Sequence, residues 1–296
     1  MTNLISRRRL ISIVASSLGL VTGKVYAFNK HIKHFSWNSI AFGNQVKINL
    51  YSTKTNHLYQ ILELILGEIR RLENIFYLQN ANSKINQLNS DKILLNPDIE
   101  LLNAMYLSEK FHAISEGCFD ITVQPLWNFF LSNKVINLDG IGFKNISFSK
   151  NKITLLNKNT EITLNSIIQG ILTDKVSEIL LNSNFENHLV NFGEGKTAGL
   201  APLGSNWFLK NGEIKIDISN KGFAVSEAKS TVLPNNKSHL FNALTKDIAI
   251  DAPKKTTVIA PSSTYADVIS TTYSVSNSRV KKKIVNSFKD VTIYIG

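Results

Sequence analysis

Between His57 and Phe76, apolar residues recur at Leu58, Ile61, Leu62, Ile65, Ile69, Leu72 and Phe76. That spacing lays them along one stripe of a single long amphipathic helix. So long a stripe must be covered by another layer, which commits the chain to a layered fold with this helix on its core. Just before it, Gln45 to Tyr51 alternates Val46, Ile48 and Leu50 with polar residues, the pattern of a half-buried strand. Asn96-Pro97 reads as an N-cap followed by proline in the first turn, opening a helix that stops near Gly117. Pieces around Ile146 and from Ile153 to Leu156 predict a hairpin, and Ile168, Leu172, Val176 and Ile179 mark another helix. Short strands are expected at His188 to Asn191, Ile214 to Ile218 and Thr257 to Ala260. A helix near Ala266 and a last strand from Val291 to Ile295 complete the chain. Helices and strands mix without a regular βαβ rhythm, so the expected class is α+β, not a doubly wound sheet. No internal repeat or long linker appears, and a single domain from residue 28 to residue 296 is expected.

With 296 residues, 43% of them hydrophobic, the chain can bury a substantial core and is neither disordered nor a multi-span membrane protein. Its formal net charge of +11 would suit acidic partners, phosphates or anionic lipid. Lys, Asn and Ile recur throughout as compositional drift, so charge alone names no partner. The densest cluster, Arg279 to Lys283, lacks the interleaved aromatics of a nucleic-acid surface and reads as a solvated turn before the last strand. At the other end, Met1 to Arg9 carries Arg7, Arg8 and Arg9 and no acid; an apolar stretch from Leu10 to Val21 follows, then Val25-Tyr26-Ala27. This is the layout of an export signal over residues 1–27, resembling the twin-arginine type, with an uncleaved anchor as the alternative. Cys118 is the only cysteine, so there is no intramolecular disulfide and no cysteine-built metal site. It reads as a small buried residue.

No glycine-rich phosphate loop, HExxH or nucleophile elbow is present, and the six histidines lack the spacing of metal ligands. Two polar clusters in apolar surroundings remain. In Gly117-Cys118-Phe119-Asp120-Ile121-Thr122, an aspartate with a threonine two residues on is either a plain turn or part of a site. In Tyr265-Ala266-Asp267-Val268-Ile269-Ser270-Thr271, a helix would project Asp267, Ser270 and Thr271 from one face. A carboxylate with two hydroxyls is an oxygen set suited to a hard cation such as Mg²⁺. The alternative is that Thr264-x-x-Asp267 is a capping box with no metal at all.

Taken in order, these pieces resemble the FAD:protein FMN transferases, the ApbE family, over roughly residues 40 to 280. Phe119-Asp120-Ile121-Thr122-Val123-Gln124-Pro125-Leu126-Trp127 is similar to that family's Phe-Asp-x-Thr-Val-x-Pro-Leu signature. Ser83-Lys84-Ile85-Asn86-Gln87-Leu88-Asn89 resembles its Ser-x-Ile-x-x-Leu-Asn segment. Thr163 to Gly170 resembles Asp-Leu-Gly-x-Ile-Ala-Lys-Gly, with Asp174 where an aspartate follows the glycine. Leu189 to Glu194 resembles the Val-Asn-x-Gly strand end, and Ala266-Asp267 with Thr271 resembles Ala-Asp-Ala-Leu-x-Thr. Ser238-His239-Leu240-Phe241-Asn242 resembles the start of a His-x-x-Asp-Pro-x-Thr-Gly element, with Thr245 keeping the threonine.

The resemblance implies a single T-fold-like domain of helices and antiparallel sheets that moves the FMN half of FAD onto a Ser or Thr hydroxyl and releases AMP. It implies Mg²⁺ held by Asp267, Ser270, Thr271 and the carbonyl near Ser166. It implies FAD contacts from Phe42, Gln79, Cys118, Phe119, Asp120, Thr163, Gln169 and Leu240, with His239 and Asp267 catalytic. Departures from the pattern are Gln79 for a stacking aromatic, Thr163 for aspartate, Gln169 for lysine, and Asn242, Ala243 and Lys246 in the histidine element. The implied partner is a flavin-accepting subunit of a membrane electron-transfer system. The implied location is the periplasm, with inner-membrane association left open. A binding protein that holds FAD without transferring it, and a Mg²⁺-dependent FAD pyrophosphatase, are the alternatives.

Overall fold

Seven strands form one sheet whose spatial order is also their order along the chain, each antiparallel to its neighbours. They are β1 (Lys33–Ala41), β2 (Asn44–Ser52), β3 (Asn187–Asn191), β4 (Gly195–Ala198), β5 (Gly222–Glu227), β6 (Lys255–Ala260) and β7 (Thr292–Ile295). The computed structural model describes residues 32–53, 57–132, 137–211 and 213–296. The stretch read as an export signal lies outside them. Helices interrupt the meander. Between β2 and β3 come α1 (Leu58–Phe76), α2 (Lys84–Asp91), α3 (Ile99–Ile114), α4 (Gln124–Ser132) and α5 (Ile168–Asn182). Between β6 and β7 come α6 (Ser263–Val275) and α7 (Ser278–Ser287). A small antiparallel sheet of Ile93–Leu95, Lys152–Leu155 and Ile146–Ser149 also lies between β2 and β3. The α+β expectation holds.

The period of two along each strand divides the apolar residues between two cores. Val190, Ala224 and Val258 belong to the larger core, with Ile65, Leu172, Val176 and Ile269 from the helices. Their neighbours Leu189, Phe223 and Ile259 pack on the opposite face with Trp207, Leu209 and Ile216. The hairpin Phe208–Asn211 and Ile214–Asp217 covers that second face, and the Trp207 indole donates to the Ala198 carbonyl at 3.2 Å. The stripe on α1 is buried as its spacing requires: Ile61, Ile65, Ile69, Leu72 and Phe76 are all in the core. Each such side chain contributes about 2 kcal/mol on leaving water.

Three local readings change. Asn96 is not the cap of α3, because it takes a left-handed conformation and donates its N–H to the Asn151 carbonyl at 2.8 Å; the cap is Asp98, after Pro97. Arg279 to Lys283 is not a turn but part of α7, which buries Val280 and Ile284 and holds its basic residues outward or against α3. Arg279 and Lys283 both pair with Glu116 at the end of α3. The capping box at Thr264 is absent, because α6 begins earlier. Ser262 is its N-cap, accepting from Tyr265 N at 3.2 Å, so Asp267 lies inside the helix.

Candidate functional site

A cleft of ≈ 820 Å³ opens where the β1–β2 hairpin, the ends of β3 and β5, and the face of α6 meet the loops around Phe119, Thr163 and His239. Phe119, Asp120, Thr163, Ser166, Gln169, His239, Leu240, Asp267 and Thr271 all line it. These residues come from four separate stretches of chain, so their convergence is a product of the fold and not of sequence proximity.

Asp267 is set by contact between two helices. It is 4% exposed, and its Oδ2 accepts the backbone N–H of Gly170 in the first turn of α5 at 3.1 Å. The N-terminal end of a helix is favourable to an anion, which suits a carboxylate held there. The start of α6 is fixed from the same neighbour. The Asp174 carboxylate accepts from Ser263 N (2.9 Å), Thr264 N (2.8 Å) and the Thr264 hydroxyl (2.7 Å). Thr271 stands one turn beyond Asp267 and lines the cleft beside it. Ser270 does not. It is 1% exposed, donates to the Asp267 carbonyl and meets Ser226 Oγ at 2.7 Å, with Ser226 also 3.5 Å from Thr271 Oγ1. Ser270 therefore stands behind the lining.

At the opposite wall, Asp120 caps a short 3₁₀ turn, Ile121–Val123: its Oδ1 accepts from Thr122 N at 2.9 Å and from the Thr122 hydroxyl at 2.7 Å. The turn reading of this aspartate holds, and the same residue lines the cleft. Its Oδ2 lies 3.1 Å from His112 Nδ1, and that carboxylate raises the imidazole's pKa above its ordinary value, against partial burial. Gln169 is buried against Gly193, where φ is +98° and an added Cβ would stand 2.5 Å from Gln169 Oε1, so only glycine fits. Glu194 follows, with Oε2 accepting the Val225 N–H at 3.2 Å. His239 directs Nδ1 to the Thr231 carbonyl at 3.1 Å, and its ring stands 5.8 Å from that of Trp127. The carbonyl partner fixes the neutral tautomer with its proton on Nδ1, leaving Nε2 the basic nitrogen.

Three expected FAD contacts lie outside this lining. Phe42 is buried at the β1–β2 turn, edge-on to Tyr77, with its N–H donating to Glu73 Oε1 at 2.7 Å. Cys118 is fully buried, and its carbonyl accepts from Ala243 N at 3.0 Å. Gln79 is exposed on the turn after α1. Residues that the sequence did not single out are Lys47, Ser226 and Glu227, all in the lining. They sit in plain strand patterns and reach the cleft only through sheet register. Asn191 and Glu194, within a quoted motif but not among the expected site residues, also line the cleft.

Several departures keep a hydrogen-bonding role. Asn242 Oδ1 accepts from Leu244 N (2.9 Å) and Thr245 N (3.3 Å), while its amide donates to the Val275 carbonyl (2.9 Å). Thr163 Oγ1 accepts from Asn165 N at 3.4 Å, the job a short acid would do there. Among the cleft's lining residues are the carboxylates Asp120, Glu194, Glu227 and Asp267, against one lysine, Lys47. An anionic ligand entering this cleft needs a cation with it. Asp267, the Thr271 hydroxyl and the Ser166 carbonyl are oxygen donors of the kind Mg²⁺ takes, so the residues present fit such an ion. Among the described residues, no group of three or more His, Cys, Asp and Glu side chains gathers as a metal cluster.

The ApbE family model matches residues 42–295. A protein of Chlamydia pneumoniae named FAD:protein FMN transferase is 26% identical over 237 residues, 72% of this chain and 75% of that protein. The flavin transferase ApbE of Vibrio cholerae shares the fold with a TM-score of 0.77 at 15% identity, over 90% of this chain and 97% of that one. The flavinyl transferase ApbE of Pseudomonas stutzeri, in its apo form, gives 0.77 at 17% identity, over 89% and 94%. At these identities the two structures speak for the fold.

Proposed function

We propose, from the premise that this chain belongs to the ApbE family, that it is an FAD:protein FMN transferase acting in the cleft between α6 and the Phe119–Val123 segment. The name of the Chlamydia pneumoniae relative supports the activity. The observation that carries the reading is the convergence of Asp267, Thr271, Ser166, His239 and Phe119 on one cleft, from stretches far apart in the chain.

In this reading FAD lies with its flavin half toward Phe119 and Asp120 and its diphosphate toward α6. A Mg²⁺ ion bound there by Asp267, Thr271 and the Ser166 carbonyl would offset charge on the diphosphate and on the leaving oxygen. The acceptor's Ser or Thr hydroxyl oxygen attacks the phosphorus of the FMN half. The bond to the bridging oxygen breaks, and AMP leaves. His239, with Nδ1 tied to the Thr231 carbonyl, presents Nε2 to take the hydroxyl proton and return it to solvent or to the departing phosphate. The products are AMP and an FMN phosphoester on the acceptor. The acceptor is proposed to be a subunit of a membrane electron-transfer system on the exported side, matching the signal-like residues 1–27 and a periplasmic location. Among the described residues, no helix is long and apolar enough to cross a membrane.

The test is to incubate the purified protein with FAD, Mg²⁺ and a flavin-acceptor domain, reading covalent flavin fluorescence on the acceptor and AMP in solution. A fluorescent acceptor with stoichiometric AMP supports the transferase. AMP and free FMN without any acceptor would make it a pyrophosphatase, and bound but unaltered FAD would make it a carrier.

A further inference from the structure

His112 does not line the cleft, yet its ring is fastened to two residues that do. Nδ1 lies 3.2 Å from the Phe119 carbonyl and 3.1 Å from Asp120 Oδ2. α3 ends two residues after His112, and Gly117, at φ +86°, turns the chain so that Phe119 and Asp120 come back beside the ring. The Asp120 side chain is 1% exposed and Oδ1 is already occupied by Thr122, while Oδ2 is buried without a hydrogen bond and has the ion-pair approach of His112 as its contact. The imidazole is itself held in place, 5.2 Å from the Phe143 ring. A buried carboxylate oxygen that loses the charge beside it is costly, so the segment would shift to find another.

We propose that His112 is a positioning residue for the dinucleotide: by holding the Phe119 carbonyl and the Asp120 carboxylate together, it fixes the wall against which the flavin half binds. This rests on the reading of the cleft as an FAD site. The charged groups acting on the ring are Asp120 and, from its own helix, Glu109; the neighbours at Phe143 and Leu244 are apolar. Because Asp120 stabilises the imidazolium, the grip is complete below the ordinary histidine pKa of about 6.5. It weakens as pH rises through the raised value in the folded protein.

The experiment is FAD binding to the full chain by flavin-fluorescence quenching, between about pH 6 and pH 9, for wild type, H112A and H112N. Asparagine places an amide donor near the position of Nδ1 without a titrating group. H112A is expected to raise the Kd for FAD about tenfold at pH 6.5, with H112N recovering most of that loss. Wild-type affinity should fall toward the H112A value at high pH, whereas H112N should be flat across the same range. In turnover the change should appear in the KM for FAD, with kcat within about twofold. A folded H112A that matches wild-type Kd overturns the proposal; so does an H112N that keeps the wild-type pH profile, which decides the matter if H112A does not fold. Wild type failing to bind FAD at all would instead remove the assignment of the cleft.

Discussion

Asp267 on α6 and Gly170 on α5 are joined by a 3.1 Å hydrogen bond from the backbone N–H to the carboxylate, so the cleft's acid is placed by the crossing of two helices. Asp267→Asn keeps an oxygen for that bond and removes the charge. FMN transfer is expected to fall about 10³-fold while the melting temperature moves by less than about 3 °C. Transfer within tenfold of wild type, measured at saturating Mg²⁺, would remove Asp267 from the reaction.

The same crossing depends on the absence of a side chain at Gly170. An added Cβ would stand 2.6 Å from the Ser263 carbonyl oxygen and 2.6 Å from the Thr264 Cα, both backbone atoms that cannot swing aside. Alanine gains about 1 kcal/mol of helix propensity over glycine, but overpacking against rigid backbone costs about 3 kcal/mol, the upper end of its usual range. Gly170→Ala is therefore expected to lower unfolding stability by about 2 kcal/mol in urea and to weaken Mg²⁺-dependent transfer as α6 is displaced. A more stable G170A protein would show that the helices do not pack this closely.

Sequence periodicity reveals elements that carry their own pattern and stays silent on those that borrow it. α1 is legible because Ile61, Ile65, Ile69 and Leu72 must share one side of a helix, and all four are buried. β4, Gly195–Ala198, offers only Gly-Lys-Thr-Ala and becomes a strand through its neighbours β3 and β5. In β1, Ile40 falls on the exposed phase and blurs the alternation that Phe35 and Trp37 begin. At the site, Asp267 and Thr271 follow from helical spacing, but Ser226 and Glu227 reach the cleft only because β5 pairs with β6. His112 lies five residues before Gly117, and nothing local shows that the turn folds Asp120 back against it.

Asp174 carries no chemistry in the cleft, yet it accepts three hydrogen bonds from Ser263 and Thr264 at the start of α6. Removing it leaves two backbone N–H groups and a hydroxyl without that acceptor. Asp174→Ala is expected to cost about 2 kcal/mol of stability, more than an ordinary cap, since several donors lose their partner together. Because the first turn of α6 leads directly to Asp267, the Mg²⁺ concentration for half-maximal transfer should rise as well. Unchanged stability and unchanged metal dependence would together show that α6 is held by its core contacts alone.

His188 makes stability depend on pH from inside the larger core. Its ring is fully buried on β3, with Nδ1 donating to the Phe185 carbonyl at 2.8 Å and Nε2 meeting the Ser177 hydroxyl at 2.8 Å. Burial disfavours the charged ring and pushes its pKa down to about 4. In the unfolded chain the same histidine titrates near 6.5, so both states are neutral above that value and His188 adds no pH dependence there. Between about 6.5 and 4 only the unfolded chain takes up the proton, and stability falls as pH drops, by on the order of 3 kcal/mol across the window. The His112–Asp120 pair runs the other way, since its stabilisation is present at low pH and fades as pH rises. Urea unfolding of wild type and His188→Gln at a series of pH values isolates the buried ring: the variant should start less stable at pH 8 and show a shallower fall toward pH 4. Parallel curves for the two proteins would mean that His188 takes up its proton in the folded state as readily as in the unfolded one.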